Sequence, residues 1–172
     1  FYFSKKFPVQ LQKQDETGVW GIIPSDDLMT LRIYYPADNR LQMEERKVQR
    51  MTAQTAVAEA VITEFFKGSV MTKALGMTRD VKLLGLYRDE EGVLYIDLSD
   101  EFRRNFSGDA LTEFLLLKGL FESLISNLQD ISDVKVLIEG KETENLGGHI
   151  NLLYPLRNAV SQEKGMTEKN VR

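Results

Sequence analysis

Cysteine is absent from this chain, which removes disulfides, thiolate nucleophiles and zinc–thiolate sites together. An oxidising compartment is permitted by that absence and not required by it. Histidine occurs once, at His149, so a histidine-based metal site has no second imidazole to draw on. The nucleophile elbow Gly-x-Ser-x-Gly is missing as well, and His149 has no acidic orienter at a recognisable spacing. Hydrolase chemistry therefore has no positive support. Lys and Arg number 22 against 26 Asp and Glu, a formal net charge of −4 without any basic block. Phosphate-backbone attraction has little to work with, which excludes nucleic acid as the expected partner. No internal repeat is visible.

What is present suits one folded domain. In 172 residues, 42% are apolar and 28% charged, an ordinary soluble balance over a length that buries roughly two thirds of its unfolded surface. The opening residues Phe1-Tyr2-Phe3-Ser4-Lys5-Lys6-Phe7-Pro8 have the aromatic-then-lysine character of the end of a membrane helix or signal segment. A plain polar-aromatic arm is the alternative reading. Residues 1–29 read as an arm or linker around Trp20 and Ile22-Ile23, broken by Gly18, Gly21, Pro24 and Ser25-Asp26-Asp27.

The domain begins with an alternating strand, Leu31-Arg32-Ile33-Tyr34-Tyr35, with Leu31, Ile33 and Tyr35 on one face and a stop at Pro36 and Asp38-Asn39. Glu44 to Arg50 reads as a charged edge strand. A helix follows from Ala53 to Lys67, capped by Thr52, striped by Val57, Val61 and Phe65, and stopped by Gly68. Val81 to Arg88 and Val93 to Leu98 form a hairpin across Asp89-Glu90-Glu91-Gly92, whose glycine suits a left-handed residue after a type I turn. With Arg88 opposite Val93, Tyr87 joins Val81, Leu83, Leu94, Ile96 and Leu98 on the inner face. A second helix spans Asp109 to Leu128, with Asp109 or Ser107 as cap and Phe114, Leu117, Phe121, Leu124 and Leu128 as stripe. Gly119 weakens it but permits close packing. Val134 to Glu139 is the last strand, ended by Gly140.

This β-α-β-β-α-β order predicts an α+β two-layer sandwich, both helices on one face of a mostly antiparallel sheet. The other face would carry Tyr34, Leu84, Leu86, Tyr95 and Leu137, too apolar to stay wet. Its expected cover is the segment from Ile150 to Leu156, with the N-terminal arm or another protein as alternatives. The domain thus spans 30–156, and 157–172 form a polar, mobile tail.

From Thr30 to Pro155 this order resembles a single copy of the GerM-type domain of sporulation and spore germination proteins. The resemblance is carried by Tyr34-Tyr35-Pro36, a helix followed by glycine, Lys82-Leu83-Leu84-Gly85-Leu86, Asp97-Leu98-Ser99-Asp100-Glu101-Phe102, Val134-Lys135-Val136-Leu137-Ile138-Glu139-Gly140-Lys141 and Gly147-Gly148-His149-Ile150. It implies a fold similar to the ring-building modules of sporulation channels and a protein exported and tethered outside the cytoplasmic membrane. It implies a non-enzymatic scaffold or interaction module of the bacterial cell envelope, connected with sporulation, germination or peptidoglycan, and no catalytic residues or cofactors to carry over. The loop from Ser69 to Asp80 departs from the pattern by lacking proline.

The expected partner is a protein or a second copy, met through a sheet edge or through Tyr34, Tyr95 and Leu137. Contact with the membrane runs only through a removed N-terminal anchor. A cell-wall glycan or peptide stacking on Tyr34 and Tyr95 is the second reading, and a hydrolase built on His149, a carboxylate and a hydroxyl is the third. Asp97, Asp100 and Glu101 crowd one strand end, but calcium needs six or more oxygens, so they read as the start of a helical turn. Glu90 and Glu91 are solvated turn charges. Gly147-Gly148 stand outside the strand-to-helix context of a phosphate loop and read as a bend, with His149 as a turn or hydrogen-bonded histidine.

Overall fold

The computed structural model describes residues 27–69 and 79–161. The Phe1–Pro8 stretch, the arm around Trp20, most of the loop from Ser69 to Asp80 and the tail beyond residue 161 lie outside the described residues.

Strand β1 (Leu28–Ala37) pairs antiparallel with β2 (Arg40–Gln49). Pro36, expected to stop the strand, lies inside it opposite Leu41. The chain turns instead at Asp38 and Asn39, with φ of 51° and 60°, the left-handed pair that a two-residue hairpin needs and that short polar side chains tolerate. Leu31, Ile33 and Tyr35 are buried as the alternation predicts. Helix α1 (Gln54–Lys67) buries Val57, Ala58, Val61, Ile62 and Phe65. Its N-cap position is Ala53, without a side-chain cap, rather than Thr52, and Gly68 ends it at φ 83°. Tyr35 stacks on Phe65 at 5.8 Å between centroids. Phe66 then bridges edge-on to Phe65 and to Phe102 of the short helix α2 (Glu101–Arg104).

The other strands, β3 (Leu83–Arg88), β4 (Val93–Leu98) and β5 (Asp133–Ile138), make a second sheet in that order. β3 runs antiparallel and β5 parallel to β4. The class is α+β with mostly antiparallel strands, as the sequence indicates, but the strands divide between two sheets. The reason lies in α3 (Ala110–Asn127), which occupies the free edge of β1. Asn127 accepts from the Arg32 N–H at 3.0 Å and donates to the Arg32 carbonyl at 2.7 Å, while Ser123 Oγ accepts from the Tyr34 N–H at 2.9 Å. Gly119, a turn earlier, lets the backbones meet: a Cβ there would lie 2.7 Å from the Tyr34 carbonyl oxygen. Gly119, Ser123 and Asn127, at helical four-residue spacing, thus stand where a neighbouring strand would.

α3 is capped by Asp109, which accepts from the Thr112 N–H at 2.9 Å. That bond and one from the Thr112 hydroxyl hold the Asp109 carboxyl below its usual range. Phe114, Leu115, Leu116, Leu117, Leu120, Phe121 and Leu124 are all buried, more of the circumference than one stripe, which marks a central helix.

The β3–β4 hairpin corrects one expectation. Asp89 donates its N–H to the Val93 carbonyl, and its carboxylate accepts from the N–H of Glu91 and Val93, so Arg88 opposes Leu94 rather than Val93. The one-residue shift pairs Tyr87 with Tyr95 and Leu86 with Ile96. Tyr87 therefore leaves the core face and Leu86 joins it. A bulge between Leu83 and Gly85 restores Leu83 opposite Leu98.

After β5 the chain docks on its own domain. Ile150, Leu152 and Leu156 are buried, and Leu156 N–H donates to the Val134 carbonyl at the outer edge of β5. The short helix α4 (Arg157–Val160) follows, with Val160 in the core and the Arg157 guanidinium 5.3 Å above the Phe121 ring. Packing thus continues past Leu156, where the sequence turns polar.

Candidate functional site

Two buried ionic side chains of opposite sign hold the segment between β5 and α4. Glu113, on the first turns of α3, has no solvent exposure. Its Oε1 accepts from the N–H of Gly147 at 3.0 Å and of Ile150 at 3.3 Å. Its Oε2 accepts from the His149 N–H at 3.0 Å and faces His149 Nδ1 at 2.7 Å. The glycines make this possible. A Cβ on Gly147 would fall 2.2 Å from a Phe106 ring carbon, and Gly148 has φ 95°. Successive N–H groups turned inward form an anion-binding concavity, and the anion is the protein's own Glu113.

Lys135 grips the next stretch. It is 3% exposed, and its Nζ donates to the carbonyl of Leu152 at 2.9 Å and to that of Leu153, with the exposed Glu142 carboxylate at 3.5 Å. An ammonium buried among carbonyls is sustained only when its donors are satisfied. Glu113 binds donors and Lys135 binds acceptors of one continuous loop, so its backbone is fixed from both sides.

Beside that loop lies an open cleft of about 230 Å³, lined by Glu144, Asn145, Gly148, His149, Ile150, Asn151 and Leu153. The His149 side chain is 41% exposed. With Nδ1 turned to a carboxylate acceptor, Nε2 is the nitrogen left over. Among the described residues that line the cleft none carries a hydroxyl or thiol, the side chains that a carboxylate–imidazole pair activates in covalent hydrolases.

The sequence singled out other residues. Tyr95 and Leu137 lie on the face of the three-stranded sheet opposite the core, where Tyr95 pairs with Lys135 and Leu137 with Asp97. Both are half-buried. The Tyr95 ring lies 5.9 Å from that of Tyr87, which is 64% exposed. Desolvation and the nearby Asp89 carboxylate push the Tyr95 hydroxyl above its usual range. Tyr34 is half-buried but belongs to the β1–β2 hairpin, so the three do not share one sheet face.

The acid cluster is absorbed by structure. Asp97 accepts from the Gly140 N–H at 2.7 Å. Asp100 pairs with Arg103 and Arg104, and Glu101 with Arg104. The Ser99 hydroxyl and Glu101's own N–H hold the Glu101 carboxyl below its usual range. Among the described residues no group of three or more histidine, aspartate or glutamate side chains could hold a metal ion. Nor, among them, is any helix long and apolar enough to cross a membrane.

Sequence reasoning missed Glu113 and Lys135. A signal for Glu113 exists: it stands four residues before Leu117 and seven before Leu120, a carboxylate on the buried stripe of its helix.

Solved structures share this fold. A Clostridium perfringens protein provisionally classed as a lipoprotein matches with a TM-score of 0.53 and 18% identity, over 76% of this chain and 87% of that one. The tandem GerMN domains of the sporulation protein GerM from Bacillus subtilis match with a TM-score of 0.58 and 17% identity, over 80% of this chain and 48% of that one. No curated protein sequence matches. The family profile described as Germane, sporulation and spore germination, matches residues 32–144, more than half of the chain, and the protein belongs to that family.

Proposed function

We propose that this protein is a non-enzymatic interaction module of the bacterial cell envelope, held outside the cytoplasmic membrane by an N-terminal anchor. It meets a protein partner or a second copy through the outer face of the three-stranded sheet. The observation that carries this reading is the Tyr87–Tyr95 pair, two aromatic rings in contact on a sheet face away from the core. Tyrosine is among the residue types enriched in binding hot spots, and Leu137 adds an aliphatic side chain on the same sheet face. Tyr34, on the other sheet, is a separate candidate contact. Family membership supports a sporulation or germination setting, and the lipoprotein-like neighbour fits a tethered domain.

Affinity capture from envelope extracts of the protein's own cells tests the contact. Wild-type chain should retain a discrete partner, or itself, and the double variant Tyr95→Ser, Leu137→Ser should lose it while keeping its circular dichroism and melting profile. Retention by that folded double variant would place the contact elsewhere. A link to peptidoglycan is the second reading, favoured by the polar cleft beside His149.

A further inference from the structure

We propose that the cleft beside His149 is a binding site for a short saccharide carrying vicinal hydroxyl and acetamido groups. This deepens the envelope reading and rests on its second form. The loop that makes the cleft is fixed by two buried ions, Glu113 taking its N–H groups and Lys135 its carbonyls. A surface loop so constrained presents its side chains already positioned, which lowers the ordering cost of binding.

The chemistry of the lining selects the ligand. Among the described residues, the Glu144 carboxylate and the Asn145 amide have no hydrogen-bond partner in the protein, and both line the cleft. Asn151 uses its Oδ1 for the Leu153 N–H at 2.9 Å and keeps its amino group. His149 keeps Nε2. These are acceptors and donors mixed at short range, with Ile150 and Leu153 as an apolar wall.

Anions are disfavoured, because the Glu144 carboxylate lines the cleft and the nearby Lys135 ammonium is spent on carbonyls. A cation would meet a single carboxylate, fewer than a hard metal ion requires. A hydroxyl both donates and accepts, so adjacent hydroxyls satisfy an amide or carboxylate in pairs. An acetamido group adds an N–H, a carbonyl and a methyl to match acceptor, donor and apolar wall. At about 230 Å³ the cleft is smaller than a typical drug-sized pocket and suits about one sugar ring of a longer strand.

The test is an amide-resolved NMR titration of the chain with the β-1,4-linked tetramer of N-acetylglucosamine, and in parallel with a lysine-terminated tetrapeptide. Saturable shifts at residues 144–153 with the saccharide are expected, weakened at least tenfold by Asn145→Ala and by Glu144→Gln, whose spectra elsewhere stay unchanged. No saturable shift with the saccharide overturns the proposal. Shifts with the peptide alone reassign the cleft to a peptide and overturn it equally. Because neither variant touches Tyr95 or Leu137, failure here leaves the partner-capture result standing on its own.

Discussion

Glu113 and His149, 36 residues apart in sequence, meet side chain to side chain at 2.7 Å, and the same carboxylate oxygen takes the His149 backbone N–H at 3.0 Å. One residue of a central helix thereby fixes both the backbone and the ring of a loop residue. The bend at Gly147-Gly148 exists to bring those donors together.

Removing Glu113 should therefore be costly. Glu113→Ala leaves three backbone N–H groups without their acceptor in a buried position, and losing a charged partner there costs about 3–5 kcal/mol. Glu113→Gln should cost less, because one acceptor oxygen remains, yet it turns an amino group toward donors. Urea unfolding of both variants checks the order. The His149 ring signals should sharpen and shift in each as the ring is released.

The helix edge that substitutes for a strand makes a second prediction. Asn127→Ala strips three hydrogen bonds, two of them to Arg32, and should destabilise by about 1–3 kcal/mol. At an exposed helix position Gly119→Ala would gain about 1 kcal/mol from propensity. Here the added Cβ meets the Tyr34 carbonyl at 2.7 Å, and overpacking against backbone costs about 1–3 kcal/mol, so the clash wins. Thermal melts of the two single variants test the sign.

Much of this fold is legible in the residues, and the failures have causes. Leu31, Ile33 and Tyr35 alternate into the core because one face of β1 is buried, and the α1 stripe follows the helical period. The hairpin register escaped because Asp89 and Val93 pair around the loop and move Tyr87 to the opposite face; a period of two makes one residue decisive. The division into two sheets escaped because Ser123 and Asn127 look like ordinary helix-surface polar residues until β1 is laid against them. Glu113 and Lys135 escaped because their partners are backbone groups of a loop far along the chain, which side-chain patterns do not encode.

The Tyr35 hydroxyl supplies a prediction in pH. Its side chain is buried against Phe65 and donates to the Glu64 carbonyl at 2.7 Å, and burial raises its pKa from 10.0 to about 12, opposed by the Arg46 guanidinium. The unfolded chain loses this proton first, so between pH 10 and 12 it binds fewer protons than the native state and stability falls as pH rises. Below pH 10 the group has no effect. Denaturant midpoints should decline over that alkaline window in wild type and more gently in Tyr35→Phe, after allowance for the lost hydrogen bond.

The central claim is contact through the outer sheet face, and site-specific photo-crosslinking in the protein's own cells tests it most directly. A photoreactive residue at position 95 or 137 of the full-length protein should give one discrete adduct, a homodimer or a single envelope protein, and the same probe at the exposed Glu59 of α1 should give none. No adduct at either sheet position, or the same adducts from position 59, would contradict the account.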